Sequence, residues 1–223
     1  MMRTLRPAWA IAAIVLATAV AGCNTYGPPL HTQFHEMFFG HSQGYIADGL
    51  LSPSPLVRRW SIVTLARHGD PQAADAFILM LDPVREPVAL VRATAVVGLR
   101  VIGDKRAIPA LVTACADPEP IVRTDAARAL GVMGGPPEIA TLVSLARRDP
   151  DANVRLEAVY AIRNISGQDT IPIFIAALSD PDESIAFAAH AALMDLTGLR
   201  YSPDKTQWQK WWQERHPAPA AKP

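Results

Sequence analysis

The chain has 223 residues, 50% of them hydrophobic and 7% aromatic, with 21 basic against 21 acidic side chains. That is enough apolar material for one sizeable core or stack. Nucleic acid is excluded as the expected partner, because binding a polyanion needs a surplus of Lys and Arg along one face, and none is visible.

Residues 1–22 begin with Arg3 and Arg6 and continue through an apolar run from Ala8 to Val20. The run falls short of the ~20 residues of a transmembrane helix and suits the hydrophobic stretch of a secretory signal. Without these residues the chain keeps 19 basic and 21 acidic side chains, a formal charge of −2. The junction Val20-Ala21-Gly22-Cys23 resembles the lipobox of bacterial lipoproteins. That resemblance implies a signal peptide over 1–22, acylation of Cys23, and attachment to a lipid bilayer through it. The expected location is the cell envelope, on the periplasmic face of the outer membrane in a Gram-negative cell. An uncleaved N-terminal anchor is the other reading of the run. The second cysteine, Cys115, lies in an apolar helical pattern and reads as a small buried hydrophobe, with no histidine near it in sequence to make it a catalytic thiol.

Residues 23–51 read as the lipidated cysteine and a tether, broken by Gly27-Pro28-Pro29, Gly40, Gly44 and Gly49. A flexible spacer of this length spans about 30 Å, at 5–6 Å × √n. His31 and His35 are four apart, with Glu36 and His41 close by, and on one helical turn the two histidines would share a metal. The prolines and Gly40 argue against a long rigid helix there, so solvated or packed histidines are the expectation and no metal site is assigned.

From residue 52 the sequence repeats itself. With Val57, Val91, Val122, Val154 and Ile185 as anchors, the spacings are 34, 31, 32 and 31 residues. A proline stands four residues before each anchor, preceded by Ser52, Glu86, Asp117, Asp149 and Asp180. Arg58, Arg92, Arg123 and Arg155 follow the anchor in four copies, and Ala186 in the fifth. Small residues at anchor +4 and Leu or Ile at +8 place one narrow apolar stripe on a first helix. A glycine 12 or 13 residues after the anchor (Gly69, Gly103, Gly134, Gly167, Gly198) is expected to close that helix in the left-handed conformation. Second helices are expected over 71–81, 107–116, 137–148 and 170–178. Ser54, Asp151 and Asp182 are placed to cap first helices, and Pro55 and Pro120 suit the first helical position.

The pattern D-P-x-x-x-V-R-x-x-A-x-x-A-L with a glycine turn, carried by Asp117, Pro118, Val122, Arg123, Ala126, Ala129, Leu130 and Gly134, resembles the HEAT-type repeat. It is closest to the variety seen in phycobilisome-lyase-like proteins. The fold this implies is all-α: an α-solenoid of about five HEAT-type helical hairpins over 52–215 with a C-terminal capping helix. The resemblance also implies a structural ladder at repeat junctions, made by Arg58, Arg92, Arg123 and Arg155 with Asp117, Asp149 and Asp180. Loss of the arginine at Ala186 suits a terminal unit. Leu196-Thr197-Gly198 followed by Trp208, Trp211 and Trp212 is similar to the closing helix of bacterial HEAT proteins, with Asp204 as its cap; residues 216–223 read as a disordered tail.

No nucleophile elbow, phosphate loop, dinucleotide fingerprint or Cys-His metal spacing appears in the repeats. HEAT-type di-iron hydroxylases rely on several His-Glu pairs, whereas this chain has only His35-Glu36, outside the repeats. A bilin-lyase-like activity needs phycobiliproteins in the cytoplasm. The expectation is therefore no enzyme and no cofactor: a scaffold for an unidentified protein or peptide. Its docking face is expected on the second helices, at Pro109, Thr113, Ile173, Ala176 and Ala177 with their neighbours Ala110, Ala114 and Pro172. The alternative is a small-molecule or cell-wall-ligand binder, or an accessory lyase-like enzyme, using Arg128, Tyr160 and His190.

Overall fold

The structure, a computed structural model, describes residues 49–69, 71–165 and 167–217. Cys23, the tether histidines and Glu36 lie outside the described residues, as does the tail beyond residue 217. The described part holds helices and no strand, and none of its helices is long and apolar enough to cross a membrane.

First helices are α1 (Pro55–His68), α3 (Ala89–Ile102), α5 (Pro120–Met133), α7 (Ala152–Ile165) and α9 (Glu183–Thr197). Second helices are α2 (Pro71–Leu79), α4 (Ile108–Ala114), α6 (Ile139–Arg148) and α8 (Ile171–Ala177), and α10 (Lys205–Arg215) closes the chain. First helices stack on one another, α1 on α3 and onward to α9, and each second helix lies against the first helix of the following hairpin. Helix α10 joins the second-helix row against α8. This is the α-solenoid.

The buried stripe shows why the copies need each other. Val91, Val122, Val154 and Ile185 are fully buried, as are Ala95, Ala126, Ala158 and Ala189 four residues on and Leu99, Leu130, Ile162 and Leu193 at +8. A single hairpin has too little apolar surface to bury this stripe alone, so the core is shared along the stack. Val57 is 42% exposed instead: among the described residues no hairpin precedes it. At Gly131 an added Cβ would sit 2.7 Å from the Ala161 Cα, which shows how closely α5 and α7 approach.

Three local expectations are corrected. Gly69, Gly103 and Gly198 are left-handed (φ 67°, 75° and 71°), but Gly134 and Gly167 are extended, with φ −79° and −105°. Gly135, the residue before Pro136, is held extended by that proline, and Gly134 runs into it in the same extended path. The chain therefore leaves α5 without the left-handed turn; a Cβ on Gly134 would meet the Leu130 carbonyl at 2.7 Å. Second helices are shorter than expected: Lys105–Ala107, Pro136–Glu138 and Gln168–Thr170 are single 3₁₀ turns, and the α-helices begin just before Pro109, at Ile139 and just before Pro172. Ser54 occupies the cap position of α1 without a side-chain cap bond, whereas the Asp151, Asp182 and Asp204 carboxylates accept from the amides of Asn153, Ser184 and Thr206.

Candidate functional site

The arginine after each anchor reaches forward to the acid of the next copy. Arg58 donates Nε and Nη2 to the Glu86 carboxylate at 2.6 and 2.8 Å, and Arg92 grips Asp117 at 2.8 Å through both nitrogens. Arg123 grips Asp149 at 2.7 and 2.8 Å, and Arg155 grips Asp180 at 3.0 Å twice. Each Nη1 also donates to the carbonyl of the residue six before it: Ser52, Glu86, Asp117 and Asp149. The acids accept one more bond, from the amide two residues on, at Val88, Glu119, Asp151 and Asp182. Forked arginines suit this task because they bind a planar carboxylate with two parallel bonds.

The electrostatics follow the geometry. The bond to Asp117 lifts the Arg92 guanidinium further above its ordinary value, against the opposing effect of burial. Burial alone would raise Asp149, but the bonds from Arg123 and the Asp151 amide outweigh it and hold the carboxyl below the usual range. A second polar row runs along the outer face of the first helices: Arg59 donates to Thr94, and Arg128 bonds Glu157 and Asp125.

At the C-terminal end Trp208 is fully buried and donates Nε1 to the Ser202 carbonyl at 2.9 Å. Trp211 packs edge-on against it, and Trp212 stacks on His216 at 3.7 Å. The tryptophan face of α10 is thus turned partly into the stack.

Two clefts border the second-helix row. The larger, about 790 Å³, is lined by Leu50, Pro53, Pro55, Ala76, Leu79 and Met80, with the Arg58–Glu86 pair in its wall. The smaller, about 270 Å³, lies between α8 and α10, where Pro172, Ile175 and Ala176 face Lys205, Gln209 and Trp212. Of the residues expected to form one outward docking strip, Pro109 and Thr113 are exposed. Ile173, Ala176 and Ala177 are half-buried, and Ile173 and Ala177, like Ala110, pack against the core; Ala114 is buried. Pro172 is exposed as well, and with Ala176 it borders the cleft where α10 lies against α8. The larger cleft was missed in sequence because Leu79 and Met80 look like ordinary members of an apolar helix end.

Arg128, Tyr160 and His190 line neither cleft. Arg128 is held by its two acids, Tyr160 is exposed, and the His190 Nε2 bonds the Tyr201 carbonyl at 2.9 Å, tying it to the cap. Cys115 is buried, and burial pushes its thiol up to about 12. Among the described residues no group of three or more His, Cys, Asp or Glu is placed to hold a metal ion. His68, His190 and His216 are followed by Gly69, Ala191 and Pro217, so the described donor set does not fit a centre built on His-Glu pairs.

A curated relative, the deoxyhypusine hydroxylase of Eremothecium gossypii, is 31% identical over 115 residues, 51% of this chain and 35% of that protein. The chain spans about a third of that relative's length. The complex of CpcE and CpcF of phycocyanin lyase from Nostoc sp. PCC7120 has the same fold: a TM-score of 0.60 at 20% identity, over 86% of this chain and 73% of that chain. An engineered protein aligns at a TM-score of 0.48 and 22% identity, over 77% of this chain and 93% of that one. The expectation of no enzyme is overturned by the first two: one relative is named a hydroxylase and the other belongs to a lyase. Missing motifs exclude familiar active sites, not catalysis on this fold. The HEAT repeats family matches residues 81–163 and 139–208, which together cover more than half of the chain. The chain belongs to the HEAT-repeat family.

Proposed function

We propose that the chain is a lipid-anchored interaction scaffold of the cell envelope, with a signal peptide over 1–22, acylated Cys23 and tether over 23–51, and the solenoid over 52–215 as its working part. In a Gram-negative cell its place is the periplasmic face of the outer membrane. The anchor rests on the charged start, the apolar run and Val20-Ala21-Gly22-Cys23. The observation that carries the scaffold is the cleft of about 790 Å³ over Leu79 and Met80. Its apolar walls and flanking ion pair suit an extended apolar peptide with one polar group, and Pro109 and Thr113 continue the exposed row on the next second helix.

Mass spectrometry of the detergent-extracted protein tests the anchor: an N-terminal peptide beginning at an acylated Cys23 is expected, lost in Cys23→Ser. A photo-crosslinker at Leu79 tests the scaffold. The expected result is a discrete protein adduct in cells that Met80→Asp abolishes while the fold survives; no adduct, or one indifferent to Met80→Asp, removes the cleft from the proposal.

The names of the two relatives support a second reading, that the solenoid takes part in an enzymatic reaction on a bound ligand. Assay of the purified chain with its crosslinked partner decides between holding the partner and changing it chemically.

A further inference from the structure

The outward face of the first helices changes character along the stack. Seen from the buried anchor, positions −1, +6 and +10 lie on the side of the helix turned away from the core. At −1 the copies carry Leu56, Leu90, Ile121, Asn153 and Ser184. At +10 they carry Arg67, Val101, Val132, Asn164 and Asp195. At −1 the residue is apolar in the first three hairpins and polar in the last two, and at +10 Val101 and Val132 give way to Asn164 and Asp195, whereas +6 (Val63, Val97, Arg128, Tyr160, Ala191) follows no such division. Leu56, Val63, Leu90, Val101, Ile121 and Val132 are each between 43% and 73% exposed. Scattered exposed aliphatics need no explanation, but a row repeated on adjacent helices marks a surface that meets something.

Charge says what it meets. Helices α1 and α3 carry five arginines and no acid. Arg58 and Arg92 are taken by the ladder, which leaves Arg59, Arg67 and Arg100 around the apolar row, with Trp60 half-buried on the same face. On α5, Asp125 is bonded to Arg128 at 3.0 Å and also feels the charge of Arg100, so Arg59 and Arg67 are the rim cations farthest from an acid of the first helices. Beyond Asp125 charges cancel between neighbours, as in Arg128–Glu157 and Arg163–Asp195. An aliphatic surface rimmed by arginines, with a tryptophan, is the composition of a protein face that lies on an anionic bilayer. It is also the end of the solenoid next in sequence to the tether from Cys23.

We propose that the outer faces of α1, α3 and α5 dock on an anionic lipid surface and hold the solenoid against the membrane. This deepens the proposed anchoring, on which it rests, by assigning a second attachment made by the fold itself. One cation near an anionic surface strengthens binding about five-fold, so losing Arg59, Arg67 and Arg100 costs on the order of 100-fold.

The test uses the full chain, carrying benzoylphenylalanine in place of Val101 or of Asn164, the same helical position at the polar end. It is reconstituted into vesicles of phosphatidylcholine alone or mixed with phosphatidylglycerol, floated and irradiated. Phospholipid adducts at position 101 in the anionic vesicles, few at 164, and their loss in Arg59→Gln/Arg67→Gln/Arg100→Gln are the expected result; the single Arg67→Gln, at an exposed site, gives an intermediate loss in a chain whose folding is not in question. Flotation with equal yields at 101 and 164 overturns the docking and leaves the anchor standing. Flotation only on anionic vesicles, with adducts at 101, supports the docking and removes the anchor; absence from both vesicle fractions removes both. A protein adduct at 101 in cells, in place of lipid, overturns the docking in favour of a protein-binding face.

Discussion

Asp117→Ala is the sharpest test of the ladder. The Arg92–Asp117 pair is its most enclosed rung, with side chains 2% and 1% exposed and two bonds of 2.8 Å. Removing the carboxylate leaves a guanidinium in the stack with one carbonyl, that of Glu86, as acceptor, and also frees the Glu119 amide. Breaking a buried pair from one side costs about 3–5 kcal/mol. For a domain of this size each kcal/mol moves Tm by about 2–4 °C, so the expected fall is about 6–20 °C. Circular dichroism at 222 nm during heating measures it. Arg92→Met/Asp117→Leu is the control, since replacing both charges with apolar groups restores most of the loss. A Tm for Asp117→Ala within about 2 °C of the wild type, less than 1 kcal/mol, refutes the ladder as a source of stability.

Four further outcomes are expected. Trp208→Ala empties a fully buried site against Tyr201 and His190 and costs about 3–5 kcal/mol, read as a lower Tm and as rapid amide exchange confined to α10 and its neighbours. Gly131→Val cannot fit beside the Ala161 backbone; it separates α5 from α7, destabilises by about 1–3 kcal/mol or more, and shows as a lower urea midpoint. The folded Asp149 carboxyl titrates below its unfolded value, so its contribution is complete above about pH 4 and is lost as pH falls through the lower folded value; the acid limb of the stability curve is shallower in Asp149→Asn. The Cys115 thiol, pushed up to about 12 and buried, reacts with a maleimide at pH 7 only as fast as the stack opens, which peptide mapping of the labelled cysteine against urea concentration measures.

Much of the fold was legible because the period itself encodes it. Anchor, +4 and +8 positions had to face a shared core, and from the second copy onward they do. What sequence could not show depends on position in the stack. Val57 has the same local signature as Val91 yet is partly exposed, since burial of an anchor is decided by a neighbouring hairpin and not by its own. Gly69 and Gly134 are the same residue at the same step, but the second leads into Gly135, which Pro136 holds extended, and leaves its helix along an extended path. Exposure along the second helices was only partly legible: Pro109, Thr113 and Pro172 face solvent, while Ile173, Ala176 and Ala177 are half-buried, and the packing of α10 on α8 joins segments with no shared pattern. The apolar-to-polar drift along the outer face was written in the letters at −1, and at +10 from the second copy onward, and becomes meaningful only once those positions are known to be solvent-facing.

The ladder also bears on how such a chain grows. Each internal hairpin presents an acid to the arginine before it and an arginine to the acid after it. A duplicate of residues 117–148 spliced in after Arg148 would meet Arg123 with its own Asp117 and meet Asp149 with its own Arg123, so both joints are made by existing chemistry. The fifth hairpin, with Ala186 in the arginine's place, offers only the receiving half. Copied inward, it would leave the following acid without its arginine. The stack can lengthen from within, and one lost side chain keeps its last member last.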